Sequence, residues 1–410
     1  MSKWTTYQLG DICDDIAMGP FGSNLKIDNF ISEGVPVIRG MNLHEGGFNK
    51  KNFAYVSEEK ANSLKRCLAY PDDLVFTHRG TLGQVGIIPR IGFEKYLVSQ
   101  SQMRLSVNKQ YIYPKYLYYF FKSPLGQKEL LKNTSQVGVP AIANPTKSLK
   151  QVEITLPAIE TQQSIASILS SLDKKIELNL QMNQSLETMA QAIFKEWFVN
   201  FNFPGFDGDL VDGLPKGWNE WSLRDFGKIV CGKTPSKAVD EYFGGEYMFL
   251  KIPDMHNSVF VIETLDTLTN EGLQSQSNKT LPPYSVCVSS IATVGLVCMN
   301  PVPCQTNQQI NSIVPSKPFW KYYLFFLAKS MREILAATAS GGTATLNMNT
   351  SQFSNLKAVK PADDLLLSFD EIVSSMMERI LANEYEIKSL TQIRDRLLPK
   401  LMTGKIEVKG

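Results

Sequence analysis

The sequence predicts an α+β protein with two similar lobes, each a mixed β-sheet with helices, separated by two long helices that form an antiparallel coiled coil. Three observations support this fold class. The chain repeats itself internally, two segments carry apolar residues at alternating four- and three-residue spacing, and short β-branched runs fill the segments between them. Such a duplication implies an internal pseudo-twofold repeat.

The chain divides into five predicted segments. A first lobe covers residues 1–157, a first spacer helix 158–200, a linker 201–217, a second lobe 218–361 and a second spacer helix 362–404. The linker is dense in Gly, Pro and Asp, a composition typical of a connection between domains.

Within each lobe, the predicted strands are short, β-branched and bounded by Pro, Gly or Asp, as in VPVIRG, DLVFTH, VCVSSIA and VEITLP. The segments YIYPKYLYYFFKS and FWKYYLFFLAKSMREILAA predict amphipathic helices packed on the sheet. The aromatic runs Tyr116–Phe121 and Tyr323–Phe326 have helical spacing and nearly the same composition, which favours core packing over base stacking.

The first spacer helix carries a coiled-coil a/d seam that is apolar except for two asparagines. Its positions are Ile165, Leu169, Leu172, Ile176, Asn179, Asn183, Leu186, Ala190, Ile193 and Trp197. The same spacing returns in the second helix at Phe369, Val373, Met376, Ile380, Asn383, Ile387, Leu390, Arg394, Leu397 and Leu401. Buried amides penalise slipped registers, so we expect the equivalent residues Asn179 and Asn383 to lie near each other and fix the register.

The two lobes carry matching motifs in the same order. VPVIRGMN matches YMFLKIPD, PDDLVFTHRGTLGQVG matches PYSVCVSSIATVGLVC, and SQSQMRL matches TNQQINS. Scaffold residues agree, as Gly83 does with Gly295, whereas polar residues differ, as His78 does from Ser290. Because the scaffold is duplicated but its polar residues differ, the two lobes are predicted to recognise two different half-sites.

Composition and charge are those of an ordinary globular protein, with 43% hydrophobic residues and a net charge of +2. The lobes are mildly basic and the helical segments acidic, which permits the lobes to contact phosphates. No apolar run is long enough to cross a bilayer, and the six cysteines show no paired spacing. We therefore expect a cytoplasmic protein with reduced thiols, no membrane contact and no metal site.

At the level of longer motifs, LPAIETQQSIASILSSLDKKIELNLQMNQSLETMAQAIFKEWF resembles the central conserved region of type I restriction–modification specificity subunits. LTQIRDRLLPKLMTGKI resembles the C-terminal conserved region of that family. PDDLVFTHRGTLGQVG and SVCVSSIATVGLVC are similar to motifs of its target recognition domains, and GKTPS is a frequent opening of such a domain. The resemblance covers essentially the whole chain.

That resemblance implies a protein that performs no chemistry itself. Each lobe would be a target recognition domain for one half of a bipartite, asymmetric site in double-stranded DNA, and the coiled coil would hold the lobes apart. Two modification subunits, which carry S-adenosylmethionine and methylate adenine, would dock on the helices. Restriction subunits, which use ATP and Mg²⁺, are a further optional partner.

Two alternatives stay open: a self-sufficient DNA methyltransferase or nuclease fused to recognition domains, and a coiled-coil adaptor whose lobes bind protein. Against the first, LPPYS lacks the polar residue that amino-methyltransferases place before Pro-Pro, since Leu281 stands there. Its Tyr284 also matches Asp72 at the entry to a strand, which predicts a turn. Ser340 to Thr343 would form an anion nest but lacks the Lys-Ser/Thr of a P-loop.

The candidate DNA contacts are polar residues of loops next to predicted strands, at matched places in the two lobes, because Arg, Asn and Gln read base edges and Lys contacts phosphates. In the first lobe they are Ser23, Asn24, Arg39, Asn42, His78, Arg79, Gln100 and Gln102. In the second lobe they are Lys233, Thr234, Lys251, Asp254, Ser289, Ser290, Asn307, Gln308 and Gln309.

Two further expectations concern the spacer helices. Phe194 and Phe198 lie beside the seam, where they would either anchor a modification subunit or pack against the chain's own lobe. The stretch from Ile165 to Trp197 would be about 50 Å long, which corresponds to roughly 15 base pairs of duplex. Two half-sites separated by several unread base pairs are therefore predicted.

Overall fold

The computed structural model describes residues 4–44, 47–48, 52–135, 138–339 and 346–408. The candidate nest from Ser340 to Thr343 lies outside these residues. The chain forms two compact units, one of residues 1–174 and 390–410 and the other of residues 175–389. Each unit therefore joins one lobe to one end of both long helices, so that the units cut across the predicted spacer segments.

The first unit contains fifteen short strands among its described residues. They are β1 (Thr5–Gln8), β2 (Cys13–Met18), β3 (Phe30–Ile31), β4 (Val35–Ile38), β5 (Leu43–His44), β6 (Gly47–Phe48), β7 (Ala54–Val56), β8 (Leu68–Ala69), β9 (Leu74–Thr77), β10 (Val85–Ile87), β11 (Tyr96–Val98), β12 (Gln102–Val107), β13 (Thr134–Ser135), β14 (Ala141–Ile142) and β15 (Glu153–Leu156). Its lobe helices are α1 (Glu58–Ser63), α2 (Pro114–Lys122), α3 (Pro124–Leu131) and α4 (Pro145–Lys150), followed by the long helix α5 (Ile159–Phe198).

The second unit is built from equivalent elements. After a linker hairpin of β16 (Leu210–Val211) and β17 (Leu214–Pro215), its strands are β18 (Asn219–Ser222), β19 (Gly227–Cys231), β20 (Phe243–Leu250), β21 (Thr267–Leu268), β22 (Val286–Ser289), β23 (Val297–Met299), β24 (Cys304–Thr306), β25 (Ile310–Pro315) and β26 (Lys357–Lys360). Its helices are α6 (Leu223–Phe226), α7 (Asn270–Gln274), α8 (Lys321–Ser330), α9 (Arg332–Ala339), α10 (Thr350–Asn355) and the long helix α11 (Asp363–Met402).

The sheets of the two lobes have the same topology. The four-stranded sheet β10-β9-β12-β2 of the first lobe corresponds to β23-β22-β25-β19 of the second, and both are antiparallel. A parallel pair, β4–β11 or β20–β24, lies in a second sheet of each lobe. The start and end of each lobe pair with each other through β1–β15 and β18–β26. The internal repeat that the motifs predicted is thus confirmed at the level of strand pairing.

Matched turns have matched backbone conformations. Gly83 and Gly295 occupy the turns after β9 and β22 with φ of 85° and 86°, a region that favours glycine. Asp72 and Tyr284 enter the same strands with φ of 76° and 62°, and their amide N–H groups donate to Ile88 and Asn300. LPPYS is therefore the turn that the repeat predicted.

The aromatic runs of α2 and α8 lie in the cores. Tyr116, Phe121, Tyr323 and Phe326 are each no more than 1% exposed, and they pack in the clusters that join each sheet to the long helices. Core packing rather than base stacking is therefore confirmed for these segments.

The two long helices run antiparallel in each unit, because residues rising along α5 meet residues falling along α11. In the first unit, Ile165 and Leu169 share a cluster with Leu398 and Leu401. In the second, Trp197 contacts Phe369, whereas Asn183, earlier in α5, contacts Asn383. All ten predicted seam positions of α5 are buried or half-buried, which confirms the predicted coiled-coil spacing.

Candidate nucleic-acid interface

Four loops of the first lobe converge at one end of its sheets to form a polar edge, which comprises residues 19–24, 39–42, 78–84 and 99–102. A Cβ atom on Gly19 would lie 1.9 Å from the Ser99 carbonyl oxygen, so only glycine permits this approach. The His78 amide donates to Ser101, and its ring Nε2 donates to the Gln100 carbonyl oxygen (3.1 Å). The structure thus brings the predicted first-lobe residues together.

Burial divides these first-lobe candidates into two groups. Ser23, Asn24, Arg79 and Gln100 are exposed, and Arg39 is half-buried with its guanidinium donating to the Asn52 carbonyl oxygen (2.8 Å). Asn42, His78 and Gln102 are buried, at 0%, 7% and 1% exposure.

The three buried residues hold the loops together from inside. Asn42 Oδ1 accepts a hydrogen bond from the Arg39 amide (3.0 Å). Gln102 Oε1 accepts from the Ser99 hydroxyl, and Gln102 Nε2 donates to Thr77 Oγ1. Burial lowers the pKa of His78, so its ring is neutral at pH 7. These placements correct the expectation for Asn42, His78 and Gln102: their side chains stabilise the edge and are not presented to a ligand.

The second lobe has an equivalent polar edge of residues 232–235, 251–254, 289–292 and 307–309. The Lys233 amide donates to Thr306, the Asn307 amide to Leu250, and the Ser290 amide to Gln309. Lys233 and Gln308 are exposed, and Thr234, Lys251, Asp254 and Gln309 are half-buried.

Three second-lobe candidates are buried and serve the scaffold. Ser289 and Ser290 are at most 1% exposed, and Asn307 is 8% exposed. Ser290 Oγ accepts from Asn311 Nδ2 (2.9 Å), and Ser289 Oγ accepts from the Leu296 amide (2.8 Å). Asp254 is half-buried, but its two carboxylate oxygens accept from the amides of Lys251 and Leu265. As in the first lobe, the correction is that these groups position the loops.

Backbone hydrogen bonds also shift one motif alignment by a single residue. The Ser99 amide donates to Ile38 as the Asn307 amide does to Leu250, and Ser101 accepts from His78 as Gln309 does from Ser290. Ser101 therefore corresponds to Gln309, and not to Gln308 as the matching of SQSQMRL with TNQQINS implied. The alignment by residue type alone favoured the other pairing because it places Gln102 opposite Gln309.

Two edge residues were missed by sequence reasoning. Gln84 accepts from Thr77 Oγ1 and donates to the Leu43 carbonyl oxygen, so it ties two loops of the first lobe together. Lys237 is exposed and lines the cleft of the second lobe. Its position directly after the GKTPS motif was a signal available in the sequence.

The family model described as "Type I restriction modification DNA specificity domain" matches residues 1–188 and 215–363 of this chain. The chain belongs to the type I restriction–modification specificity family. It is 34% identical to the type I restriction enzyme HindI specificity subunit of Haemophilus influenzae, over 99% of this chain and 100% of that protein. It is also 26% identical to the MjaIX specificity subunit of Methanocaldococcus jannaschii, over 99% and 94% of the two chains.

The fold of this family member agrees with a solved relative. The crystal structure of a type I restriction–modification S subunit from M. genitalium superposes with a TM-score of 0.64 at 15% identity, covering 98% of this chain and 96% of that one. This likeness supports the fold of two lobes and two long helices.

In this member of the specificity family, the two phenylalanines beside the seam lie in the core of the second unit. Phe194 and Phe198 are 3% and 7% exposed and pack against Tyr323 and Phe369. Of the two alternatives that the sequence left open, the structure supports packing on the chain's own lobe and corrects the proposal of a partner anchor.

The seam amides are buried, but their pairing differs from the expectation. Asn383 Nδ2 donates to Asn183 Oδ1 (2.8 Å), and Asn183 donates to Glu384 (2.9 Å). Asn179 donates to Glu386 (2.8 Å), while its buried Oδ1 has no hydrogen-bond partner in the described structure. The partner of Asn383 is thus Asn183, one helical turn beyond Asn179.

Among the described residues, no three His, Cys, Asp or Glu side chains are grouped to hold a metal ion. No helix in that part of the chain combines the length and apolar character needed to span a membrane.

Proposed function

We propose that this chain is the DNA-recognition subunit of a type I restriction–modification complex, in which each lobe reads one half of a bipartite, asymmetric site in double-stranded DNA. The observation that carries the proposal is the duplication of one polar edge on two equivalent scaffolds. Loops at the same ends of the same strands converge in both lobes, and buried polar groups hold them there.

The exposed side chains of the two edges differ, which supports unlike half-sites. The first lobe presents Arg79, whose place in the second lobe is taken by the half-buried Ile291. The second lobe presents Lys233 and Lys251. Arginine donates two parallel hydrogen bonds to guanine, whereas lysine binds phosphates or donates to base acceptors.

The long helices support docking of modification subunits. In the second unit, α5 exposes Leu178, Met182 and Met189 at 58%, 38% and 53%. These positions lie on one side of the helix, away from the seam, and exposed apolar side chains in such a row are typical of protein interfaces. Two modification subunits, one for each half of the repeat, follow from the duplication, with restriction subunits as an optional addition.

In this proposal the chain itself is not an enzyme. S-adenosylmethionine, and ATP with Mg²⁺ where restriction subunits join, would be bound by the partner subunits. The complex would act on cellular DNA in the cytoplasm.

Methylome sequencing of cells with and without this gene tests the function. Loss of methylation at one bipartite adenine motif in the deletion strain is the expected result. Methylation of DNA by the purified chain alone would instead support a self-sufficient methyltransferase. An unchanged methylome, with no sequence-dependent DNA binding of the assembled complex, would support a protein-binding adaptor.

A further inference from the structure

Gln309 stands out on the polar edge of the second lobe because the fold fixes the direction of its amide group. Asn307 Oδ1 accepts from the Gln309 backbone amide (3.1 Å), so the other side-chain atom of Asn307 must be the NH₂ donor. That Nδ2 donates to Gln309 Oε1 (2.9 Å). The Gln309 carbonyl oxygen accepts from the Ser290 amide (2.8 Å). Both Nε2 hydrogens of Gln309 are left for a ligand, whereas one of the two lone pairs of its Oε1 is used within the lobe.

Gln309 lines a cleft of about 430 Å³ whose other charged side chains are Lys237 and Lys251. No Asp or Glu is among the described residues that line it. The nearby Asp266 is held by Lys251 Nζ (2.5 Å), and the Thr234 hydroxyl is bonded to Gln308 Oε1 (2.8 Å). The cleft therefore offers hydrogen-bond donors and positive charge.

A surface of donors selects a ligand that offers acceptors. In the major groove, guanine presents two adjacent acceptors, N7 and O6, whereas cytosine presents a donor and adenine one donor beside one acceptor. A glutamine that reads adenine must accept from N6–H through its oxygen, and in Gln309 that oxygen already accepts from Asn307 Nδ2, so adenine would have to share it. Guanine needs only the unused Nε2 donors and is therefore favoured.

We propose that the second lobe reads a guanine through Gln309 Nε2, with Lys251 as the neighbouring donor. This inference rests on the proposed function, since it assumes that this edge faces DNA. Phosphate oxygens are acceptors too, but phosphates are bound through charge and do not require a rigidly oriented neutral amide. The first lobe lacks this group, because Ser101 occupies the corresponding place.

The test uses this chain assembled with its modification subunits on duplexes that carry the methylated motif. Each guanine of the motif is replaced in turn by 7-deazaguanine, which lacks the N7 acceptor, and the dissociation constant is measured. One guanine in one half-site should show a loss of about 5- to 100-fold for the wild type. In Gln309→Met, which keeps the side-chain length and removes the donor, the same replacement should have no effect.

A second variant and a second probe keep the outcome decisive. Gln309→Glu should discriminate against that guanine more strongly than Gln309→Met, because it places an acceptor opposite two acceptors. An unfolding temperature equal to that of the wild type shows that both variants are folded, and unaltered discrimination at the other half-site shows that the effect is confined to the second lobe. The inference is overturned if no guanine effect disappears in Gln309→Met, or if methylphosphonate replacement in the backbone reproduces the Gln309 dependence. Failure of the proposed function looks different: wild-type binding would then not depend on both half-sites.

Discussion

The two lobes share a scaffold but differ in how much polarity that scaffold buries. Leu97 of β11 pairs with Val37 of β4, and at the corresponding place Gln305 of β24 pairs with Phe249 of β20. Leu97 lies in an apolar cluster, whereas Gln305 Nε2 donates to Leu273, Gln276 and Thr280. Both residues are fully buried. The comparison teaches that one strand pairing accommodates either an apolar or a polar core, provided that the polar group has partners.

The largest expected effect on stability comes from placing in the first lobe, at Leu97, the glutamine that the second lobe has at Gln305. Leu97→Gln places an amide among apolar side chains without the partners that Gln305 has, and should lower the free energy of unfolding by about 3–5 kcal/mol. Thermal unfolding combined with hydrogen exchange, which reports each lobe separately, measures this loss. Leu97→Met is the control of similar volume, and an equal loss in both variants would show that volume and not polarity decides.

The reverse exchange should cost less. Gln305→Leu removes the side-chain donor that reaches the Leu273 and Gln276 carbonyl oxygens and the acceptor of Gln276 Nε2, which we expect to lower the stability of the second lobe by about 2–3 kcal/mol. Gln305→Glu keeps the shape but removes the donor, and should cost at least as much. Wild-type stability of Gln305→Leu would mean that this buried network contributes nothing that a well-packed leucine does not replace.

The difference between the polar edges predicts a change confined to one half-site. Arg79 is exposed on the first lobe, and its removal in Arg79→Ala should weaken discrimination at one base pair by about 1–3 kcal/mol. Competition binding of the assembled complex with targets altered in either half-site measures this. Arg79→Lys keeps the positive charge but cannot donate the two parallel hydrogen bonds of a guanidinium group. Compared with Arg79→Ala, it should therefore recover more of the overall DNA affinity than of the discrimination between bases. A uniform loss at both half-sites would contradict separate reading by the two lobes.

Hydrophobic spacing and motif repetition predicted much of the fold. The seam of α5, the aromatic cores of α2 and α8, and the turn at Tyr284 were all accessible to this reasoning, because each depends on residues close in sequence or on the duplication itself. Burial of the edge residues was not accessible. Whether His78 or Arg79 points outward depends on how four loops, distant in sequence, pack together.

The pairing of the seam amides was inaccessible for a related reason. The stagger of two antiparallel helices is set by the sum of contacts along both, including those that join Phe194 to Tyr323 and Phe369. Equivalence by repeat identified Asn179 and Asn383 as counterparts, but it contained no information on the one-turn difference that pairs Asn383 with Asn183.

Along the long helices the two units also differ, since the seam of the first is apolar near Ile165, whereas that of the second contains asparagines that donate to the flanking carboxylates of Glu384 and Glu386. Burial raises the pKa of Glu384, although the hydrogen bond from Asn183 opposes the rise. Hydrogen bonds from Asn179 and Lys175 lower the pKa of Glu386. These opposite shifts predict opposite dependence of stability on pH.

For Glu384, a raised folded-state pKa adds stability below the ordinary value of 4.5, and this stability is lost as the pH rises through the folded-state pKa. Glu384→Gln should therefore flatten the decline in stability above pH 4.5. Glu386 contributes stability above its ordinary pKa that is lost on acidification, so Glu386→Gln should flatten the acid side instead. Unfolding measured from pH 3 to pH 8 checks both, and a change of the same sign in the two variants would contradict the assignment.

The smallest effect on stability, and the most informative one on function, is expected at Asn179. Its Oδ1 is buried without a hydrogen-bond partner, so Asn179→Leu should leave stability unchanged or raise it by about 1 kcal/mol. Asn183→Leu is the matched comparison: it removes the partner of Asn383 and should lower stability by about 1–3 kcal/mol. Both substitutions remove a polar constraint on register, since an unpaired amide opposes any slipped arrangement of the helices.

If register fixes the spacing of the half-sites, Asn179→Leu should bind targets with one base pair more or fewer in the spacer better, relative to the natural target, than the wild type does. Binding of the assembled complex to a series of spacer lengths measures this ratio directly. An unchanged ratio in a variant of unchanged stability would show that Asn179 does not select the spacer. The amide pair of Asn183 and Asn383 would then be the remaining register constraint, because it alone joins α5 to α11 through two buried asparagines among the described residues.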